Sequence, residues 1–197
     1  TTIEVLPIET PDERLPRSNV GDAPTGFGVD SWQGPFSGKS NWHARYVADG
    51  DRLSDLFPAD AATMTVADIA SISYFTKRPV GTPAGRDWWI QIYTRWTGSG
   101  DCSGWYKHRF ISNYNTHTEE GAWTQYSTDG AMTFRENSCV GADYADFAAF
   151  VAAHGTELVE MISVQTDSAW NGFDGYIDGL EITLTNGEIG RVNFETD

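Results

Sequence analysis

The feature that most constrains this chain is a period of two. In one short segment after another, side chains alternate between two characters, which suits strands with two different faces. Ile72, Tyr74 and Thr76 alternate with Ser73, Phe75 and Lys77, and turn material follows at Pro79, Gly81, Pro83 and Gly85. Strands with similar alternation are expected over 88–96, 105–111, 122–127, 131–135, 158–166, 173–184 and 188–195. Asn186-Gly187 between the last two is a type I′ hairpin signal. Only the stretch 143–154 breaks the period. It sets Phe147, Phe150, Val151 and His154 on one helical face, with an Asp N-cap and Gly155 just past the end, so one short helix is expected there, with His154 capping its end. A helical turn is also expected to start at Thr65.

Many antiparallel strands with one intruding helix predict an all-β, two-sheet antiparallel sandwich, and at 197 residues a jelly roll is the preferred form. Residues 1–26, punctuated by Pro7, Pro11, Pro16 and Pro24, read as an extended N-terminal arm. Residues 27–197 read as a single domain.

Charge narrows the partners. With 13 Lys and Arg against 28 Asp and Glu, the formal charge is −15, so phosphate polymers and anionic lipid lack their usual attraction. Nucleic acid is not an expected partner. No apolar run approaches the roughly 20 residues needed to cross a bilayer, and Thr-Thr-Ile-Glu at the start has no leader character, so a soluble, already processed chain is expected. Eight Trp, 8 Tyr and 10 Phe argue for a packed interior rather than a disordered acidic chain. Cys102 and Cys139, the only cysteines, both sit in turn-like settings, and a loop-to-loop disulfide between them is expected. Such a bond stabilises by roughly 3 to 4 kcal/mol and belongs to an oxidising compartment. A structural zinc there would need two further ligands that the spacing does not supply.

The segment 88–96 carries the most chemistry, because its two faces differ in kind. Trp88, Ile90, Ile92 and Trp96 suit a core. Trp89, Gln91, Tyr93 and Arg95 set rings beside an amide and a guanidinium. Sugars need that mixture, since their C–H faces stack on rings while their hydroxyls seek fixed polar partners. Trp105, Lys107 and Arg109, and then Trp123 and Gln125, repeat it. The expected ligand surface is therefore Trp89, Gln91, Tyr93, Arg95, Trp105, Lys107, Arg109, Trp123 and Gln125 on one open sheet face. Arg86, Arg95, Lys107 and Arg109, against only Asp87 and Asp101, make this span locally positive and suited to an anionic polysaccharide.

Three stretches resemble a known class of protein. They are Val66-Ala-Asp-Ile-Ala-Ser-Ile-Ser-Tyr74, the Leu158-Val-Glu-Met-Ile162 that follows the helix, and Ala169-Trp-Asn-Gly-Phe-Asp-Gly-Tyr-Ile-Asp-Gly-Leu180 with Val192-Asn-Phe-Glu195. Together they are similar to secreted bacterial jelly-roll domains of the concanavalin A-like or carbohydrate-binding type. The resemblance implies an extracellular, glycan-recognising domain. It also implies a structural Ca2+ on oxygen ligands, for which Asp174, Asp178, Glu195 and Asp197 are the candidates. Alternation turns Asp178 inward.

Gln91-Ile92-Tyr93 also resembles the Gln-Ile-His strand of jelly-roll alginate lyases, with tyrosine in place of the histidine. Tyr106-Lys107 faintly resembles their Tyr-x-Lys motif, without the glycine and second tyrosine expected after it. The alternative function is thus β-elimination on uronate glycans. Tyr93, Tyr106 or His108 would act as base or acid, and Arg95, Arg109 and Gln91 would neutralise the sugar carboxylate. A third alternative is a structural or adhesive extracellular domain, in which loops cover Trp89, Tyr93 and Trp105. Paired acids for glycoside hydrolysis are not evident, since Glu119-Glu120 falls in a loop and Glu157 and Glu160 bracket a strand. His108 and His117 are placed to approach each other across a hairpin.

Overall fold

The computed structural model describes residues 1–6, 17–19, 21–28, 30–33, 41–46, 51–82, 85–95, 108–113, 116–117, 119–136, 141–166 and 175–195. The chain begins with β1 (Thr2–Val5), β2 (Arg17–Asn19), β3 (Asp30–Gln33), β4 (Asn41–Arg45) and β5 (Asp51–Arg52). A one-turn helix α1 (Leu53–Leu56) leads to β6 (Ile69–Lys77), β7 (Gly85–Arg86), β8 (Trp89–Thr94) and β9 (Arg109–Ser112). Then come β10 (Thr116–His117), β11 (Trp123–Ser127), β12 (Phe134–Glu136) and β13 (Asp143–Tyr144). Helix α2 (Phe147–His154) precedes β14 (Val159–Gln165), β15 (Tyr176–Leu184) and β16 (Ile189–Val192).

Two sheets result. In the first, β15 lies between β6 on one side and β16 and β3 on the other; β11 flanks β6, β1 flanks β16 and β2 flanks β3. The second runs β13-β12-β9-β8-β14-β4-β5. Pairing is antiparallel except at β1–β16 and β4–β5. Ile72, Tyr74, Ile177 and Ile182 of the first sheet meet Ile90, Ile92, Ile162 and Val164 of the second in one core. The chain is therefore the all-β two-sheet sandwich that its alternation predicts. Within 1–26, β1 and β2 pair into the first sheet with β16 and β3.

The helix is shorter than predicted. Its N-cap is Asp146, whose carboxylate accepts the Ala149 N–H at 2.7 Å, while Asp143 and Tyr144 pair with β12 as a strand. Phe147 and Phe150 close the sandwich against Phe134 and Phe110. A 3-10 turn over Val66–Asp68 does start at Thr65, with the Asp68 carboxylate accepting both the Thr65 N–H and hydroxyl. The last hairpin forms with a different turn. Asn186 does not take a positive φ and only Gly187 does (+87°), so the Gly187 N–H reaches the Leu184 carbonyl and Thr185-Asn186-Gly187 make a three-residue loop. Among the described residues no helix is long and apolar enough to cross a membrane.

Candidate functional site

Buried side chains divide the second sheet into two faces. Trp88, Ile90, Ile92, Phe110, Ile162 and Val164 belong to the core, whereas Trp89, Tyr93, Ile111 and Met161 are buried yet stand apart from it. These four share the outer face. Strand register arranges that face in rows. Arg109, Tyr93, Met161 and Arg45 lie side by side in one row; Arg135, Ile111, Gln91, Ser163 and His43 form the next. Trp89 stands beside Gln165 in a third. Cross-strand neighbours have Cβ atoms about 5 Å apart, so adjoining side chains in a row are within mutual reach.

A bulge enriches the face. Val159 and Ile162 both point into the core, and the register shifts between Val159 and Met161, so two successive residues, Glu160 and Met161, fall outside. Glu160 then meets Arg45 Nη2 at 3.2 Å. Beside it the Tyr93 hydroxyl donates to Gln91 Oε1.

Of the residues expected to form the ligand surface, Trp89, Gln91, Tyr93 and Arg109 do share this face. It is not open as expected: Trp89 is 6%, Gln91 1% and Tyr93 4% exposed. Both sides of a central strand are covered here, and alternation reports only which residues share a side. Arg95 is diverted by the end of β8. Its guanidinium donates to the carbonyls of Val159 (3.0 Å), Ala62 (2.9 Å) and Ala61 (2.9 Å), and it lies 3.4 Å from the Tyr46 ring centroid. That is a structural clamp. Trp123 and Gln125 belong to β11, in the first sheet, and because Tyr126 packs on the core they face away from the sandwich on its opposite side. Trp105, Tyr106, Lys107, Cys102 and Cys139 lie outside the described residues. Sequence reasoning missed His43, Arg45, Ser163 and Gln165. The residues of β4 alternate too, with Trp42 and Ala44 inward, but the segment is short and carries no flanking signal beyond Trp42.

A second constellation lies between β15 and the end of the chain. Asp178 is 2% exposed. Its Oδ1 accepts the Gly179 N–H at 2.6 Å, and among the described residues its enclosed Oδ2 has no hydrogen-bond partner. Burial pushes this carboxyl up, the Gly179 N–H draws it back, and the charges of Glu195 and Asp30 push it up again, to about 7. Glu195 comes close because residue 28 is glycine: a Cβ there would sit 2.1 Å from the Glu195 carboxyl carbon. A cavity of about 160 Å³ lined by Asp178, Glu195, Glu4, Asn193 and Arg191 adjoins these acids, with Arg191 3.8 Å from the Glu4 carboxylate. An enclosed carboxylate oxygen facing further acids fits a hard cation. Asp174 and Asp197, the other expected calcium ligands, lie outside the described residues.

The backbone of His117 pairs with β7 in a separate two-stranded ribbon, apart from the sheet that β9 joins just after His108. His108 is 3% exposed on the core side of the sheet and meets His154, with ring centroids 5.6 Å apart. Comparison with protein families, with curated proteins and with solved structures finds no match to this chain.

Proposed function

We propose that this is a secreted carbohydrate-binding domain whose ligand is an anionic, uronate-containing polysaccharide, held on the outer face of the second sheet. What carries the reading is register. It sets Arg109, Tyr93 and Arg45 in one row and Gln91, Ser163 and His43 in the next, so cations, amide and hydroxyl converge across four neighbouring strands. A sugar carboxylate is suited to the guanidinium groups, and ring hydroxyls to Gln91 and Ser163. Since Trp89 and Tyr93 are nearly closed to water, access to them requires a local opening. The proposal includes a structural Ca2+ on Asp178 and Glu195.

That same burial favours a second reading, an extracellular structural or adhesive domain. Affinity electrophoresis of the full chain through gels holding alginate, polyglucuronate or a neutral glucan separates the two. Binding predicts retardation by the uronates. Arg109→Ala and Gln91→Ala would weaken it about tenfold or more, close to 1.4 kcal/mol, and Trp123→Ala, on the far side, would leave it unchanged. Retardation in none of the gels would assign the structural role. Ultraviolet absorbance rising with time, from an unsaturated uronate, would assign the lyase role to the Tyr93 face.

A further inference from the structure

The strongest feature outside that face is a carboxylate placed between two histidines at the end of the sandwich. Glu157, three residues beyond α2, has one oxygen 2.7 Å from His154 Nδ1 and the other 3.0 Å from His108 Nδ1. The Thr94 hydroxyl donates to the same carboxylate at 2.7 Å. Elements distant in sequence meet here: His108 precedes β9, Thr94 ends β8 and His154 ends α2. Burial alone would raise the Glu157 carboxyl, but hydrogen bonds from His108, His154 and Thr94 outweigh it and hold the group at about 2. It is an anion at any ordinary pH.

We propose that His108, His154 and Glu157 form a binding site for a divalent transition metal ion, with zinc as the probe. One ligand atom from each of the three lies within 4.8 Å of the others. Ligand atoms of a tetrahedral zinc stand roughly 3.3 Å apart, given metal–ligand bonds of about 2.0–2.1 Å. The N···O contacts of 2.7 and 3.0 Å thus need to open by a few tenths of an ångström, and the Thr94 hydroxyl, which also hydrogen-bonds His108 Nδ1, has to turn away, for an ion to sit among the three ligands.

The far nitrogen of the His154 ring already has a hydrogen-bond partner. His154 Nε2 is 2.5 Å from the Tyr144 hydroxyl, and His108 Nε2 is 3.7 Å from Glu136 Oε1. When Nδ1 of His154 ligates, its neutral ring carries the proton on Nε2, beside the Tyr144 hydroxyl oxygen. Metal-bound histidines usually have such partners, which fix the tautomer and the ring plane. Two nitrogens and one carboxylate leave a fourth position for water or a small ligand. His108 is enclosed, but the side chains of His154 and Glu157 are 16% and 17% exposed, which leaves an approach from solvent.

The test uses the full, chelator-stripped chain. Zinc added in competition with a chromophoric chelator is expected to bind one ion per chain. Cobalt(II) is expected to give the intense visible bands of a four-coordinate site with nitrogen and oxygen ligands. His154→Gln and Glu157→Gln should weaken zinc at least tenfold, with circular dichroism checking that each variant is folded, and Glu119→Gln, at an exposed position outside both proposed sites, should leave zinc affinity unchanged. The assignment is overturned if zinc does not bind, if binding survives in both site variants, or if a thiolate-to-cobalt band in the near ultraviolet places the ion on Cys102 or Cys139.

Discussion

In a calcium chelator at pH 8, Asp178→Asn is expected to melt higher than the parent protein, and millimolar calcium is expected to reverse that order. The sign follows from the buried carboxyl. Its folded value of about 7 lies above the ordinary 3.8, so between those values the folded chain keeps a proton that the unfolded chain has lost. Stability contributed by the protonated group is complete below about pH 4. It drains away as pH rises through about 7 and does not fall further above that. The difference between 3.8 and about 7 corresponds to at most about 4 kcal/mol, at about 1.4 kcal/mol for each pH unit. For a chain of this size that is on the order of 10 °C in Tm. Asparagine has the same shape, keeps the oxygen that accepts from Gly179, and never ionises, so it removes the penalty at pH 8 and little else at pH 4. Calcium acts oppositely, because an ion that binds only the folded chain at a hundred times its Kd adds about 2.7 kcal/mol. Differential scanning calorimetry of both proteins, at pH 4 and pH 8, with chelator and with calcium, reads all of this. The same rank order with and without calcium at pH 8 would remove the cation from Asp178.

Arg95→Ala is expected to destabilise the fold by about 3 kcal/mol, whereas Arg109→Ala changes stability by less than about 0.5 kcal/mol. Arg95 satisfies three carbonyls, two of them in the 61–62 turn and one at the bulge of β14, while its plane lies on Tyr46. Removing it leaves those three carbonyls without their donor, while Glu160, 3.7 Å from Arg95, keeps Arg45 at 3.2 Å. Lysine restores the charge but not the fork, so Arg95→Lys should recover less than half of the loss. Urea denaturation of the three variants separates the clamp from the ligand cation. If Arg95→Ala unfolds at the parent's midpoint and instead abolishes uronate binding, the roles of the two arginines are exchanged.

These two arginines also show where the sequence is legible. Alternation correctly pairs Trp89, Gln91 and Tyr93 on one side of β8 and Trp88, Ile90 and Ile92 on the other. It places the sandwich and its one longer helix, but it turns Asp178 inward, whereas a bulge between Asp178 and Glu181 leaves Asp178 beside Phe75 on the outer face of the first sheet, buried apart from the core. It fails where position depends on chain far away. Arg95 keeps the parity of Tyr93, but the strand ends at Thr94 and the side chain is free to fold back onto carbonyls of another segment. Trp123 and Gln125 carry the right residue types, yet β11 pairs with β6, and no local pattern says which sheet a strand joins. His154 does end α2, but the local pattern of the helix says nothing of Tyr144 and His108, which reach it from β13 and from the start of β9, beside the nearby Glu157. Parity likewise says nothing about cover, which is why a face read as open is closed.

The most direct measurement of the central claim follows the Gln91 side-chain amide by 15N–1H NMR while a uronate oligosaccharide is titrated into the labelled chain. Gln91 lies at the middle of the polar rows and is 1% exposed, so its resonance reports the outer face and little else. A saturable shift of that amide, absent with a neutral glucan and absent in Arg109→Ala, is the predicted result. An amide that stays in place while the oligosaccharide binds, or while it shifts only residues such as Trp123 on the far sheet, would contradict the account.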